Sequence, residues 1–403
     1  MIALRGAGAV LPGRVAQPAT ILLDGDRIAE IVEGARAPSA RAVRLDLTGH
    51  LIVPGFIDVH VHGAGGDDTL DGPGAIASIA ARLPRYGVTA FCPTSVACAP
   101  AALDTLLGAV RDARTAPRAA SARVLPAHLE SNFINPAYRG AQPDAMLRLP
   151  GSAAGTGGQD FSAADLLDAI ERGRPDVAII TMAPELPGAL DLVAALVSRG
   201  HRVALGHSAA TYEEALAAIA RGARHATHLF NRMPPLGHRD PGLAGAVLAR
   251  EEIAAEIICD GYHVHPAVVR MAAAAKGPSR VMAITDGTAL SGLRPGACAR
   301  LGGRTITAGD HAATLEDGTL AGSTCTMDRA FRMLVESAGL PLVDAAALCA
   351  TTPARELGLT GHGVIAAGAV ADLAVLDADL RVVQTYVGGT LVYSAGETPV
   401  PGG

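Results

Sequence analysis

Through the middle of the chain, strand-length apolar runs alternate with amphipathic segments of helical period. The apolar runs are Leu51–His60, Val88–Ser95, Arg123–Leu129, Val177–Met182, Arg202–Gly206, His225–Phe230, Ile253–Cys259 and Val281–Thr285. Between them, helical patterns cover Gly74–Tyr86, Ala101–Ala113, Ala163–Arg172, Ala189–Arg199, Thr211–Arg221 and Pro266–Lys276, and Met327–Ala338 follows the last run. Runs with so little polar alternation are strands covered on both faces, the condition of a parallel sheet under crossover helices. Eight such units, with no Gly-x-Gly-x-x-Gly after the first strand, predict an α/β fold closed into a (β/α)8 TIM-type barrel.

The two ends of the chain read differently. Ala19–Leu23 and Arg27–Val32 flank the turn Asp24-Gly25-Asp26. Near the C-terminus Ala371–Asp377, Val382–Val387 and Leu391–Tyr393 are short runs, the last two divided by Gly388-Gly389. These are antiparallel strands and hairpins. We expect a small β-sandwich assembled from residues 1–53 and 360–403 around a barrel of residues 54–359. Leu149–Gln159 (LPGSAAGTGGQ) reads as a flexible surface insertion, and residues 300–322 as a hairpin excursion turning at Asp317-Gly318.

Composition narrows the partners. A net charge of -6 over 403 residues offers no basic field for nucleic acid. No apolar run approaches the length that spans a bilayer, and the start MIALRGAGAVLPGR lacks the apolar core of a signal peptide. A cytoplasmic enzyme acting on a small molecule is the expectation. The six cysteines are scattered without a CxxC pair, which predicts buried free thiols rather than disulfides or a zinc knuckle.

The strand ends carry the chemistry, because barrel enzymes build their sites at the C-terminal face. Strand one ends in His60-Val61-His62, strand three in His128-Leu129-Glu130, strand five in His207, strand six in His228 and strand eight in Asp286. Alternation turns both imidazoles of the HxH to one side of the strand, into the mouth. Glu130, His207 and His228 form a His/His/carboxylate set with positions left for water and substrate, as a catalytic metal site requires. Glu130 has the reach to bridge two ions. Asp286 is the candidate proton shuttle. His263, in the loop after strand seven, is placed to polarise a carbonyl or hold an oxyanion, whereas His265 reads as a helix-entry residue.

Several longer motifs then match a known family. HLE at 128–130, GHSAATYEEA at 206–215, ATHLFN at 226–231, MPPLGHRDPGLAGA at 233–246, DGYHVHP at 260–266 and TDG at 285–287 resemble the N-acetylglucosamine-6-phosphate deacetylases of the amidohydrolase superfamily. The likeness runs over nearly the whole chain. It implies that Glu130, His207 and His228 bind the main divalent metal, that His60 and His62 hold a second, and that Asp286 is the acid and base. Zinc is the first choice of metal, with iron, manganese or cobalt as alternatives. The resemblance also implies substrate contacts from His263, Asn231, the backbone of Arg232, and Arg239. In the family the residue matching Arg239 reaches the sugar phosphate of the other subunit, so a homodimer is expected.

The chain departs from the family in places. Ser131-Asn132 replace a Gly-Pro pair, Gln142 follows Ala141 where a substrate-contacting histidine is usual, and Arg232 replaces a small residue. These changes are expected around the sugar, with the hydrolytic set intact. Rival readings are a deacetylase of N-acetylgalactosamine 6-phosphate or another N-acyl amino sugar, and a non-catalytic sugar-phosphate sensor. A cyclic-amide hydrolase would need a lysine on strand four, and VAIITM has none.

Overall fold

The computed structural model describes residues 1–34, 42–152 and 160–396. Eight parallel strands form the barrel: β1 (Phe56–Val61), β2 (Val88–Ser95), β3 (Ala127–Glu130), β4 (Val177–Met182), β5 (Arg202–Leu205), β6 (His225–Ala226), β7 (Ala254–Ile258) and β8 (Val281–Ile284). Each pairs with its successor in chain order. A parallel bridge between Val61 and Gly287 closes the ring, with the His62 amide donating to the Gly287 carbonyl at 2.8 Å. Ile57, Val59, Ala90, Cys92, Ile179, Ala204, Met282 and Ile284 fill the interior, so the barrel is a packed core with a site only at its mouth.

Three apolar runs are shorter in the fold than in the sequence. Leu51–His60 divides at Gly55: Leu51–Pro54 joins the terminal sheet and Phe56 starts the barrel. A side chain at residue 55 would meet Thr89 at 2.2 Å, so only glycine lets the chain cross there. Arg123–Leu129 is interrupted before Ala127 at Pro126, which has no N–H to give a ladder. His225–Phe230 pairs only as far as Ala226, because His228 and Phe230 turn into the left-handed region with φ of 29° and 77°.

The helices expected from the spacing are present, and Gly242–Ala249 adds one between β6 and β7 that the spacing did not mark. Thr211 and Glu214 form a reciprocal capping box that starts Tyr212–Ala220 between β5 and β6, and Ser162 with Asp165 does the same for Ala163–Arg172. Met327–Arg332 continues into a wider turn in which the Ala338 amide donates to the Met333 carbonyl. Among the described residues no helix is long and apolar enough to cross a membrane.

The terminal strands join into one mixed eight-stranded sheet. Leu4, Ile21, Leu23 and Ile28 from its N-terminal strands share a core with Ile52, Leu373, Val375 and Tyr386. Residues 298–323 make a separate four-stranded sheet, larger than the expected hairpin. Of the expected insertion, 149–152 are described and 153–159 lie outside the described residues. Five cysteines are buried as expected, but Cys298 is exposed on the edge of the four-stranded sheet.

Candidate active site

Two groups of ligand-type side chains meet at the barrel mouth. In the first, Glu130 at the end of β3 places Oε1 2.9 Å from His207 Nε2 and 2.8 Å from His228 Nε2, and the two nitrogens are 3.1 Å apart. In the second, His60 Nε2 lies 3.2 Å from His62 Nε2, and Asp286 Oδ1 lies 3.4 Å and 3.3 Å from those nitrogens. Glu130 stands between the groups, with Oε1 3.8 Å from His60 and Oε2 3.5 Å from His62. All six side chains are buried.

Backbone geometry aims these groups. His207, His228 and Asp286 follow the ends of β5, β6 and β8 with φ of 48°, 29° and 49°. Non-glycine residues in this region store strain, and such strain concentrates at functional sites. Gly206 lets β5 pass close to its neighbours, since a side chain there would meet Thr227 at 2.9 Å and Thr181 at 3.2 Å.

The donor set fits divalent cations. His207 Nδ1 donates to the Tyr138 carbonyl at 2.8 Å, which leaves Nε2 turned toward the Glu130 carboxylate oxygen and the His228 imidazole. Lone pairs converging in this way need positive charge between them. The titration directions agree. Burial alone would raise the Glu130 carboxyl, but the His207 charge and the hydrogen bonds with His207 and His228 hold it well below the usual carboxylate range. Burial alone would lower His62, yet its bond with Asp286 and the nearby carboxylates hold it up at about 9. His228 is raised against burial by Glu130 in the same way. His60 has no such excess and burial takes it down to about 3.

The groups open into a cavity of about 420 Å³. Its wall includes His62, Glu130, His207, His228 and Asp286, with His263, Asn231, Arg232, Ala141 and Gln142 around them. His263 is held by Asp260, whose Oδ2 is 2.6 Å from Nδ1 and whose Oδ1 accepts from the His263 and Tyr262 amides. That leaves Nε2 as the ring's unclamped nitrogen. Gln142 is committed at both ends, its carbonyl accepting from the Ala97 amide at 2.7 Å and its amide donating to Glu130 Oε2. His265 caps the Pro266–Lys276 helix, accepting from the Ala267 amide at 3.2 Å.

One expectation moves. Ser131 and Asn132 do not line the cavity: the Ser131 hydroxyl donates to the Thr181 carbonyl, and the Asn132 amide to Cys98 and Met146. Arg239, expected to serve a partner subunit, lies outside the cavity of its own chain, on an exposed loop where it meets His238 at 2.7 Å. The sequence reading passed over Asp260 and Glu256. Glu256, at the centre of the apolar strand β7, lies 3.1 Å from His60 Nδ1 and is raised to about 7 by burial. Its only signal was an acid in an otherwise apolar run.

Comparison with known proteins agrees with this architecture. Residues 51–392 match the amidohydrolase family. An N-acetylglucosamine-6-phosphate deacetylase of Danio rerio is 37% identical over 361 residues, covering 87% of this chain and 86% of its own. An N-acetylgalactosamine-6-phosphate deacetylase of Escherichia coli O157:H7 is 34% identical, covering 91% and 93%. Among solved structures, an Asp-to-Ala mutant of the Mycobacterium smegmatis N-acetyl-D-glucosamine-6-phosphate deacetylase, in complex with N-acetyl-D-glucosamine-6-phosphate, superposes with a TM-score of 0.87 at 33% identity. It covers 98% of this chain and 99% of its own. With a metal-ligand constellation at the mouth of a closed barrel and likeness along almost its whole length, the chain belongs to the amidohydrolase family, in the group of the N-acetylglucosamine-6-phosphate deacetylases.

Proposed function

We propose that the protein hydrolyses the acetamide of N-acetyl-D-glucosamine 6-phosphate to glucosamine 6-phosphate and acetate. The observation that carries this is Asp286, grouped with His60 and His62 beside the cluster of Glu130, His207 and His228 at one cavity, in a chain whose relatives bear that activity in their names. Glu130, His207 and His228 would hold the main divalent cation, and His60, His62 and Asp286 a second. When bound, such a cation supplies Lewis acidity that acidifies water and polarises the amide carbonyl.

The chain's own groups do the rest. Asp286 accepts a proton from the attacking water. The water oxygen bonds to the acetyl carbon, the C–N bond breaks, and Asp286 returns the proton to the departing amine nitrogen. His263, steadied by Asp260, donates from Nε2 toward the carbonyl oxygen when its ring is protonated. Asn231, Ala141, Gln142 and Arg232 line the cavity and are the residues proposed to meet the sugar. Arg239, exposed and free of carboxylate partners among the described residues, is suited to the phosphate in a partner's site of a homodimer. The site suits zinc, in a cytoplasmic enzyme.

A second reading keeps the chemistry with N-acetylgalactosamine 6-phosphate, favoured by the Escherichia coli relative. Acetate release from both phosphosugars and from unphosphorylated N-acetylglucosamine decides between them. We expect the highest kcat/KM on N-acetylglucosamine 6-phosphate; no release from any of the three refutes the proposal.

A further inference from the structure

Beneath the ligand clusters lies a layer of polar side chains with no part in the reaction. Glu256 on β7, His128 on β3, Thr181 on β4 and Thr227 after β6 are sealed from solvent. Their hydrogen bonds admit one consistent arrangement of protons. His128 Nδ1 lies 3.0 Å from the Val59 carbonyl, which only accepts, so Nδ1 carries the ring proton. Its Nε2 then accepts from the Thr181 hydroxyl at 2.8 Å, and Thr181 Oγ1 accepts from Thr227 at 2.7 Å. The proton of His128 is thus directed at Val59. Glu256 Oε1, 3.7 Å from that ring, has no hydrogen-bond partner. Besides a bond from the His228 backbone, the Glu256 carboxylate is left with one side-chain hydrogen-bond partner, His60 Nδ1, 3.1 Å from Oε2.

We propose that Glu256 is the positioning residue of the second cation site: it accepts the Nδ1 proton of His60 and so fixes that ring with Nε2 bare toward His62 and Asp286. The inference rests on the reading of His60, His62 and Asp286 as cation ligands. A parallel within the site supports it. Each cluster contains one imidazole clamped at Nδ1 by a protein acceptor, His207 by the Tyr138 carbonyl and His60 by Glu256. The other histidine of each, His228 and His62, has a buried Nδ1 with no partner. A ligand imidazole that donates its far N–H is held in one tautomer and one orientation, and a carboxylate acceptor also raises its basicity. A carboxylate sealed from water with so few donors is costly by itself, and binding a cation through His60 offsets that cost.

The test is a calorimetric titration of metal-stripped protein with Co²⁺, which also reports coordination through its visible absorption, on wild type, Glu256→Leu and Glu256→Gln. Wild type should bind two Co²⁺ per chain. Glu256→Leu should weaken one of them by about 10–100-fold and leave the other unchanged. Glu256→Gln keeps an acceptor oxygen without the charge, so its loss should be smaller, about 3–10-fold on the same ion. Unchanged binding of both ions in the variants overturns the proposal, as does parallel weakening of both, the mark of a purely structural role. If Glu256→Leu does not fold, the Gln variant decides alone, and an unchanged second affinity overturns it. A wild type that binds a single Co²⁺ overturns the two-cation reading and this inference together. Acetate release by the wild type tests the hydrolytic reading independently.

Discussion

Replacing Asp286 by Asn removes a charge and a proton acceptor while keeping the shape of the side chain. The backbone there has φ of 49°, a region that Asn enters more readily than most residues, so the turn into the site should survive. In the wild type, burial alone would raise this carboxyl. The hydrogen bond with His62, with the electrostatics of the two neighbouring imidazoles, overcomes burial and holds the group below the usual carboxylate range. The variant therefore loses a base that is available at neutral pH. A positioned acid–base group contributes ~10²–10⁴ in rate. At about 1.36 kcal/mol per decade, that is about 2.7–5.4 kcal/mol of barrier. The assay is steady-state acetate release from N-acetylglucosamine 6-phosphate, with bound metal measured in the same samples. The loss should fall on kcat, because the proton moves only after substrate is bound. The cation held by Glu130, His207 and His228 should remain. A metal-replete variant with kcat within about three-fold of wild type refutes the role, and so does a loss confined to KM.

Two further perturbations probe the scaffold. Gly206→Ala forces a methyl against Thr227 and Thr181, both stiff at χ1, and should cost about 1–3 kcal/mol in denaturant unfolding while weakening the cation held through His207; unaltered stability and metal affinity contradict the packing. Asp372→Asn tests the seam between barrel and terminal sheet, where the carboxylate meets Arg123 at 2.9 Å, His362 at 2.9 Å and the Gly388 amide at 2.7 Å. Burial would raise Asp372, but His362, Arg123 and Gly388 together hold it below the ordinary aspartate value of 3.8. A depressed folded pKa gives stability that is full above the unfolded value and lost as pH falls through the folded one. The variant should therefore be less stable by ~1–3 kcal/mol at pH 7, discounted because Arg123 is partly exposed, with the gap closing below pH ~3.8. A gap of constant size down to pH ~2.5 contradicts the linkage.

Most of the barrel was legible because its strands are apolar on both faces and its helices carry capping boxes and apolar stripes. The same property hid Glu256. In a strand without alternation nothing marks which residues face inward, so an acid pointing into the barrel reads no differently from one pointing out. Glu130, His207 and Asp286 were readable because each follows an apolar run directly. His228 was found, yet the strand was drawn through it, since a left-handed turn at a histidine has no sequence signal comparable to glycine. Asp260 was hidden by its neighbour: the bond that organises His263 spans three residues of loop and follows no period. Ser131 and Asn132 were expected beside the sugar because they adjoin Glu130 in the chain. Past the end of β3 the backbone turns them beneath the mouth, where they hold Thr181, Cys98 and Met146.

The left-handed conformations of His207, His228 and Asp286 set activity against endurance. Each costs of order 1–3 kcal/mol relative to relaxed backbone, and Gly or Asn would recover part of that while removing the side chains proposed for ligation and proton transfer. A population of variants ranked by heat resistance alone would drift toward catalytically dead proteins at these positions, which are among the last a stability-guided engineer should accept. A thermotolerant form of this enzyme is better sought in the terminal sheet and the outer helices, where added cohesion does not compete with turnover.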